Sequence, residues 1–103
     1  MSSQISSTML FAKKIRQLRE EKQLLQRQIS AVLEIDNALY CKIERGDRIA
    51  KREQVVLISK ILSANEAELL TLWLADKVMD VLSDEDELAG NVLYIAQMQI
   101  RGK

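Results

Sequence analysis

The clearest chemistry of this chain lies in the polar and basic side chains between Asn37 and Arg52. Asn37 carries a carboxamide, which donates and accepts hydrogen bonds, and Lys42 adds an ammonium group about one helical turn later. Four cations then follow within eight residues, at Arg45, Arg48, Lys51 and Arg52. Such groups suit contact with the phosphates and base edges of a nucleic acid. The alternative interpretation, a solvated basic loop, is less favoured at this charge density.

The composition offers little for catalysis or for metal binding. The chain has no His and a single Cys, Cys41, so no internal disulfide can form and a metal site would have to be all-carboxylate. No base can be assigned to activate a Ser nucleophile. We therefore expect no enzyme, no cofactor and no metal. We interpret Cys41 as a small packing residue, and a redox switch on the same helix as the weaker alternative.

The formal net charge of zero hides an asymmetry along the chain. Residues 1–62 carry 12 Lys and Arg against 7 Asp and Glu, whereas residues 63–103 carry 3 against 8. A basic half is attracted to a phosphate backbone and an acidic half is repelled from it, so this distribution would orient the molecule on a polyanion. The alternative is that these charges only solvate helix faces.

Helix-favouring composition and apolar periodicity predict an all-α protein. The chain has 103 residues, no Pro and three Gly, which suits one helical unit. Apolar residues at helical spacing predict helices at 9–22, 26–33, 37–45 and 51–62, a fifth from a cap at Asn65 to residue 82, and a sixth at 84–99. Asp36 is expected to cap the third helix, Gly46 to close it, and Ser83 to cap the sixth.

Neither a membrane span nor a signal peptide is indicated. The chain has no run of about 18 apolar residues, and its N-terminus is polar and Ser-rich, without a basic region or an apolar core. We expect residues 1–7 to be a flexible N-terminus, with Ser7 or Thr8 as a candidate helix cap. The protein is predicted to be cytoplasmic and to make no membrane contact.

Residues 26–46 read QRQISAVLEIDNALYCKIERG. Gln26 at the start of the second helix, with Ile43-Glu44-Arg45-Gly46 at the end of the third, resembles the pattern of the Cro/repressor-like (Xre) helix-turn-helix DNA-binding family. Small phage repressors and restriction-modification controllers are similar members. The resemblance covers about residues 10–70. It implies a five-helix Cro/repressor-like helix-turn-helix domain at 8–70 and a C-terminal helical extension for dimerisation at 71–103.

The chain departs from that family pattern in two places near the bend. Leu25 stands where a hydroxyl cap usually precedes the Gln, and Glu34 stands where the bend usually has Gly. A Glu at positive φ costs on the order of 1 kcal/mol. These departures affect the geometry of the bend and leave the third helix intact.

The resemblance assigns roles to three groups of residues. Asn37, Ala38 and Lys42 match the base-reading positions of the third helix. The matching phosphate-binding positions, together with the neighbouring cations, are Gln26, Arg27, Arg45, Arg48, Lys51 and Arg52. Arg19 and Glu44 match a structural ion pair that ties the first helix to the third.

The last two predicted helices carry more apolar surface than a small domain can hide. We therefore expect a homodimer, with an interface of Trp73, Leu74, Val78, Val81, Leu82, Leu88, Val92 and Ile95. Trp73 and Tyr94 could instead line a ligand site, but few polar neighbours accompany them, so a small-molecule effector is not indicated.

Three functions follow from these observations. The favoured one is a sequence-specific transcriptional regulator, a homodimer on a two-fold operator in double-stranded DNA. The second is an antitoxin-like or other protein-interaction module whose C-terminal helices bind a different protein. The third, an enzyme, has no catalytic constellation to support it.

Overall fold

The computed structural model describes residues 9–102, and helices are the only regular elements of this part of the chain. The predicted all-α class is confirmed, and the described residues form six helices, one more than the five-helix domain that the resemblance implies. They are α1 (Leu10–Glu21), α2 (Gln26–Leu33), α3 (Asn37–Arg45), α4 (Arg52–Ile61), α5 (Glu66–Val81) and α6 (Asp86–Arg101). The expectations for residues 1–7, Ser7 and Thr8 concern residues outside this described range.

Side-chain caps set the limits of the central helices. The Asp36 carboxylate accepts a hydrogen bond of 2.9 Å from the Leu39 N–H, and Gly46 closes α3 with φ +84°. Asn65 caps α5 in the same way, by accepting from the Glu68 N–H at 2.8 Å. Each cap satisfies an N–H or a carbonyl that the helix itself leaves free, so these three predicted caps are confirmed.

The bend between α2 and α3 lies where the sequence predicts it, although Glu34 occupies the position where the family usually has Gly. Glu34 adopts the left-handed conformation at φ +59°, which an L side chain takes at a cost of about 1 kcal/mol. At the other end of α2, Leu25 supplies no side-chain oxygen. The Gln28 side chain compensates because it accepts a hydrogen bond of 2.7 Å from the Leu25 N–H.

Five helices enclose one hydrophobic core. Helix α1 packs on α3 and α5, α2 packs on α3 and α4, and α4 packs on α5, so each of the five has two neighbours. The core consists of Phe11, Ile15, Ile29, Leu33, Tyr40, Ile43, Ala50, Val55, Ile58, Leu62, Leu69 and Trp73. The packing holds α2 and α3 against a rigid base formed by α1, α4 and α5.

Trp73 is a core residue, which corrects its assignment to the dimer interface. Only 6 % of its surface is exposed, and the indole N–H donates a hydrogen bond of 2.8 Å to the Ala50 carbonyl. A Trp buried on one side of an amphipathic helix satisfies its N–H within the domain. The expected division between residues 70 and 71 also falls inside α5, whose Leu69 and Trp73 belong to the same core.

Helix α6 begins later than predicted and stands apart from the core. The Ser83 hydroxyl donates to the Asp80 carbonyl at 2.9 Å instead of capping α6, and Asp84 adopts φ +68°. The helix therefore starts at Asp86, and none of its residues is buried. Among the helices of residues 9–102, none has the length and apolar character needed to cross a membrane.

Candidate nucleic-acid interface

A buried carboxylate at Glu44 ties the first three helices together. Arg19 on α1 donates to it from Nε at 2.6 Å and from Nη2 at 3.1 Å. Gln26 on α2 donates to the same carboxylate at 3.0 Å, and the hydroxyl of Tyr40, one turn earlier on α3, donates at 2.8 Å. Arg19 also donates to the Leu24 carbonyl at 2.8 Å. The network fixes the orientation of α3 relative to α1 and α2.

The protonation states of this network follow from its geometry. Burial raises the pKa of Glu44, but hydrogen bonds from Arg19, Gln26 and Tyr40 outweigh that effect and hold the pKa below its ordinary value. The hydrogen bond to Glu44 raises the pKa of Arg19. Burial, with the nearby Glu44 charge, raises the pKa of the Tyr40 hydroxyl well above its ordinary range. The ion pair is therefore charged at neutral pH and Tyr40 is a neutral donor.

The exposed side of α3 carries the residues predicted to read bases. Ala38 and Lys42 are both exposed, and Arg45 follows at the next helical position on the same side. Asn37 is exposed at the junction with α2, where its Oδ1 lies 3.4 Å from the Ser30 hydroxyl and its Nδ2 lies 3.7 Å from the Cys41 sulfur. The structure thus places Ala38 and Lys42 one turn apart on the exposed side of α3, with Asn37 exposed at the first position of the helix.

A shallow depression marks the place where α2 and α3 begin. It measures about 220 Å³ and is lined by Leu25, Gln26, Arg27 and Asn37. Arg27 is exposed there, in the first turn of α2. Free N–H groups at a helix start attract anions, so this depression combines an exposed cation with backbone donors.

Gln26 has a structural role that the sequence analysis did not assign. Its side-chain nitrogen donates to Glu44, and its Oε1 accepts from the Cys41 thiol at 3.0 Å. Cys41 is half-buried, and this contact agrees with its interpretation as a packing residue. The spacing of Tyr40 and Glu44, four residues apart on one helix, is a signal from which one contact of this network could have been predicted. Nothing in the sequence indicated that Gln26 and Cys41 meet.

The other predicted phosphate-binding residues are all exposed: Arg27, Arg45, Arg48, Lys51 and Arg52. Two of them have neighbours. Arg45 Nε lies 2.9 Å from the Asp47 carboxylate in an exposed ion pair, and the Arg52 guanidinium lies 6.0 Å from the Trp73 ring centroid. Exposed pairs of this kind are weak, so a phosphate can compete for Arg45.

The residues predicted for the dimer interface divide into two sets. Trp73 is buried and Leu82 is half-buried, whereas Leu74, Val78 and Val81 on α5 are exposed. On α6 the exposed members are Leu88, Val92 and Ile95. Helix α6 therefore leaves every one of its predicted interface side chains in contact with solvent.

Asp76 was not identified from the sequence, although it positions α1. Its two carboxylate oxygens accept hydrogen bonds from the N–H groups of Leu10 and Phe11, at 2.9 and 3.0 Å. The carboxylate thereby caps a helix that lies 65 residues earlier in the chain. A cap supplied from so far away has no local sequence signal.

No protein-family model, curated protein or solved structure matched this chain. Within residues 9–102, no three His, Cys, Asp or Glu side chains are grouped so as to hold a metal ion.

Proposed function

We propose that this protein is a sequence-specific DNA-binding transcriptional regulator of the Cro/repressor-like helix-turn-helix type, acting as a homodimer on a two-fold site. One observation carries the proposal. Asn37 and Ala38 are exposed in the first turn of α3 and Lys42 is exposed one turn further on, and the Glu44 network ties this short helix to α1 and α2. Exposed cations precede α3 at Arg27 and follow it at Arg48, Lys51 and Arg52.

The exposed groups match the edges of base pairs in the major groove. Asn37 can pair with the donor and acceptor of an adenine, Ala38 can contact a thymine methyl group, and Lys42 can donate to a guanine. A single α-helix fills the width of that groove. Because α3 is capped at Asp36 and closed at Gly46, its first turn is presented in one conformation.

The cations supply contacts to the phosphates that do not depend on sequence. Arg27 lies at the start of α2, and Lys51 and Arg52 lie at the start of α4, where the helix dipoles add to the attraction. Arg45 and Arg48 fill the interval after α3. Gln26 contributes chiefly through its backbone N–H in this proposal, because its side chain is engaged with Glu44 and Cys41.

A homodimer supplies the remaining specificity. One helix of this kind contacts only a few base pairs, and two copies about one turn of DNA apart are the usual solution. The exposed apolar residues of α6 offer a surface for the second copy. The acidic balance of residues 63–103 would keep this surface away from the DNA.

The test is selection of binding sites from random duplex DNA by the purified protein, followed by footprinting of the enriched sequence. The proposal requires a two-fold motif whose halves are about one helical turn apart. If no motif is enriched and all sequences bind equally, sequence-specific recognition is contradicted. A motif without two-fold symmetry would contradict the homodimer alone.

The second candidate is a protein-interaction module, as in an antitoxin, whose C-terminal helices bind a different protein. It is supported by the same observation on α6, which has no buried residue. The two candidates differ in the mass of the purified protein. A self-associating chain favours the regulator, whereas a monomer at micromolar concentration favours the interaction module.

A further inference from the structure

Helix α6 has an apolar side that is too broad for one neighbouring helix. At 100° per residue, Leu88, Ala89, Val92, Leu93, Ile95, Ala96 and Ile100 cover an arc of roughly 160°, interrupted only by Gln99. The five larger side chains of this arc are between 44 and 72 % exposed. A contact between two helices buries only a narrow apolar stripe. An arc of this width is better suited to a groove formed by two or more segments of the chain.

Residues 9–102 form a groove of about 530 Å³ between α1, the loop 46–51 and the second half of α5. Phe11, Ile43 and Trp73 form its apolar floor, and Ile49 and Val81 stand at its rim, 64 and 76 % exposed. No residue of α6 lines this groove. Five charged residues also line the groove: Asp47, Arg48, Asp76, Lys77 and Asp80. Each copy therefore carries one apolar helix and one groove with an apolar floor that this helix does not fill.

We propose that α6 of one copy occupies this groove in a second copy, and that the two copies exchange their α6 helices reciprocally. The inference rests on the homodimer of the proposed function and specifies its geometry. An exchange between identical chains is closed, because both α6 arcs and both grooves are then covered.

The turn between α5 and α6 favours binding of α6 to the groove of a second copy over binding to the groove of its own chain. The Ser83 hydroxyl bonds to the Asp80 carbonyl, the Glu85 N–H bonds to the Leu82 carbonyl at 2.9 Å, and Asp84 adopts φ +68°. These bonds define a turn, and with the turn in this conformation no residue of α6 lines the groove of its own chain. Folding back within the chain would require this turn to change.

The area that would be covered is that of a small specific interface. Covering the exposed half of an aliphatic side chain removes roughly 50 Å² from water. Seven such side chains per copy take part: Ile49, Val81, Leu88, Val92, Leu93, Ile95 and Ile100. With about 65 % of a homodimer interface being apolar, they imply on the order of 1,100 Å² in total, which exceeds the roughly 1,000 Å² expected of a specific interface.

The position of the groove connects dimerisation with DNA binding. Ile49 and Arg48 belong both to the groove and to the loop that follows α3. A helix seated beside Ile49 would hold this loop, and with it Arg48, in one conformation. The exchanged dimer would thus present its phosphate-binding loops already ordered.

Two single variants and their mixture test the exchange by sedimentation of the full-length chain without DNA. Val92→Glu places a charge in the middle of the α6 arc, and Val81→Glu places one at the groove rim. Both side chains are exposed, so neither change disturbs the core. We expect each variant alone to dissociate at least tenfold more readily than the original protein.

An equimolar mixture of the two variants should regain much of the association. The intact α6 of the Val81→Glu copy meets the intact groove of the Val92→Glu copy, which restores one half of the dimer.

The matched controls are Tyr94→Glu and Thr71→Glu, which should leave the mass unchanged. Tyr94 lies about 200° around α6 from Val92, and Thr71 lies about 160° around α5 from Trp73.

Three outcomes would overturn the exchange. If Val81→Glu leaves the dimer intact, α6 pairs elsewhere. If the mixture shows no recovery, the two surfaces do not meet across copies. If the original protein is a monomer at micromolar concentration, α6 is free or serves another partner. Selection of a DNA motif by the same protein is measured separately, so failure of the exchange and failure of DNA reading are distinguishable.

Discussion

The guanidinium of Arg19 and the carboxylate of Glu44 face each other through two hydrogen bonds of 2.6 and 3.1 Å. The side chain of Arg19 is 13 % exposed and that of Glu44 is 2 % exposed, so the pair is largely removed from water. It joins the end of α1 to the end of α3. The position of the proposed reading helix therefore depends in part on an ion pair between two residues that lie 25 positions apart in the chain.

Arg19→Ala should lower the free energy of unfolding by about 3 kcal/mol, because it leaves the Glu44 charge buried without its main partner. The measurement is denaturant unfolding at neutral pH. Arg16→Ala is the matched control, since the Arg16–Glu20 pair, at 3.3 Å, is exposed on both sides and should contribute less than about 1 kcal/mol. Equal losses in the two variants would contradict a special role for the buried pair.

Acid should destabilise the fold through Glu44. Its pKa is lowered in the folded state, so the unfolded chain takes up this proton first as the pH falls below the ordinary value of 4.5. The stabilisation is complete above that value and is lost as the pH falls through the lowered pKa. The Glu44→Gln variant should have a lower unfolding free energy than the original protein at neutral pH. Over this acid interval its unfolding free energy should fall less steeply than that of the original protein. Parallel curves for the two proteins would show that other carboxylates cause the acid response.

Asp76→Asn should destabilise the protein by about 1 kcal/mol, because an amide replaces a charged acceptor that caps Leu10 and Phe11. Asp80→Asn is the control, since Asp80 lies one turn later on α5, is exposed, and accepts no such pair of bonds. Thermal unfolding of both variants provides the comparison. A smaller effect at Asp76 than at Asp80 would contradict the capping role.

Local features of this protein were predictable from sequence, and long-range ones were not. The limits of α2 and α3, and the caps at Asp36, Gly46 and Asn65, depend on neighbouring residues and were predicted. Trp73 was misassigned because an apolar side chain on a helix can face either its own core or another copy. The placement of Trp73 depends on Ala50, which lies 23 residues away.

The candidate site divides in the same way. The helical period places Ala38 and Lys42 on the side of α3 opposite its apolar residues, so their exposure could be predicted from the sequence. The engagement of the Gln26 side chain with Glu44 and Cys41 requires two helices to meet at a particular angle. Packing sets that angle, and no motif in the sequence encodes it.

Base reading and phosphate binding should respond differently to substitution. Lys42→Ala should cost about 1 to 3 kcal/mol on the selected DNA site and little on random DNA, whereas Arg52→Ala should weaken both alike and reduce the salt dependence by about one ion. Lys60→Ala, an exposed cation at the other end of α4, is the control and should change neither. Fluorescence anisotropy at several salt concentrations supplies these values. Affinity that does not change with salt would contradict the phosphate contacts.

Truncation after Leu82 should separate folding from dimerisation. All the buried residues of the described chain lie in α1 to α5 and the loops between them, so residues 1–82 retain the whole core. We expect nearly the full unfolding free energy and a monomeric mass by sedimentation. Affinity for the full operator should fall by at least tenfold, because the second site is no longer linked to the first. A truncated protein that stays dimeric, with undiminished affinity for the full operator, would place the interface on α5 and exclude α6 from it.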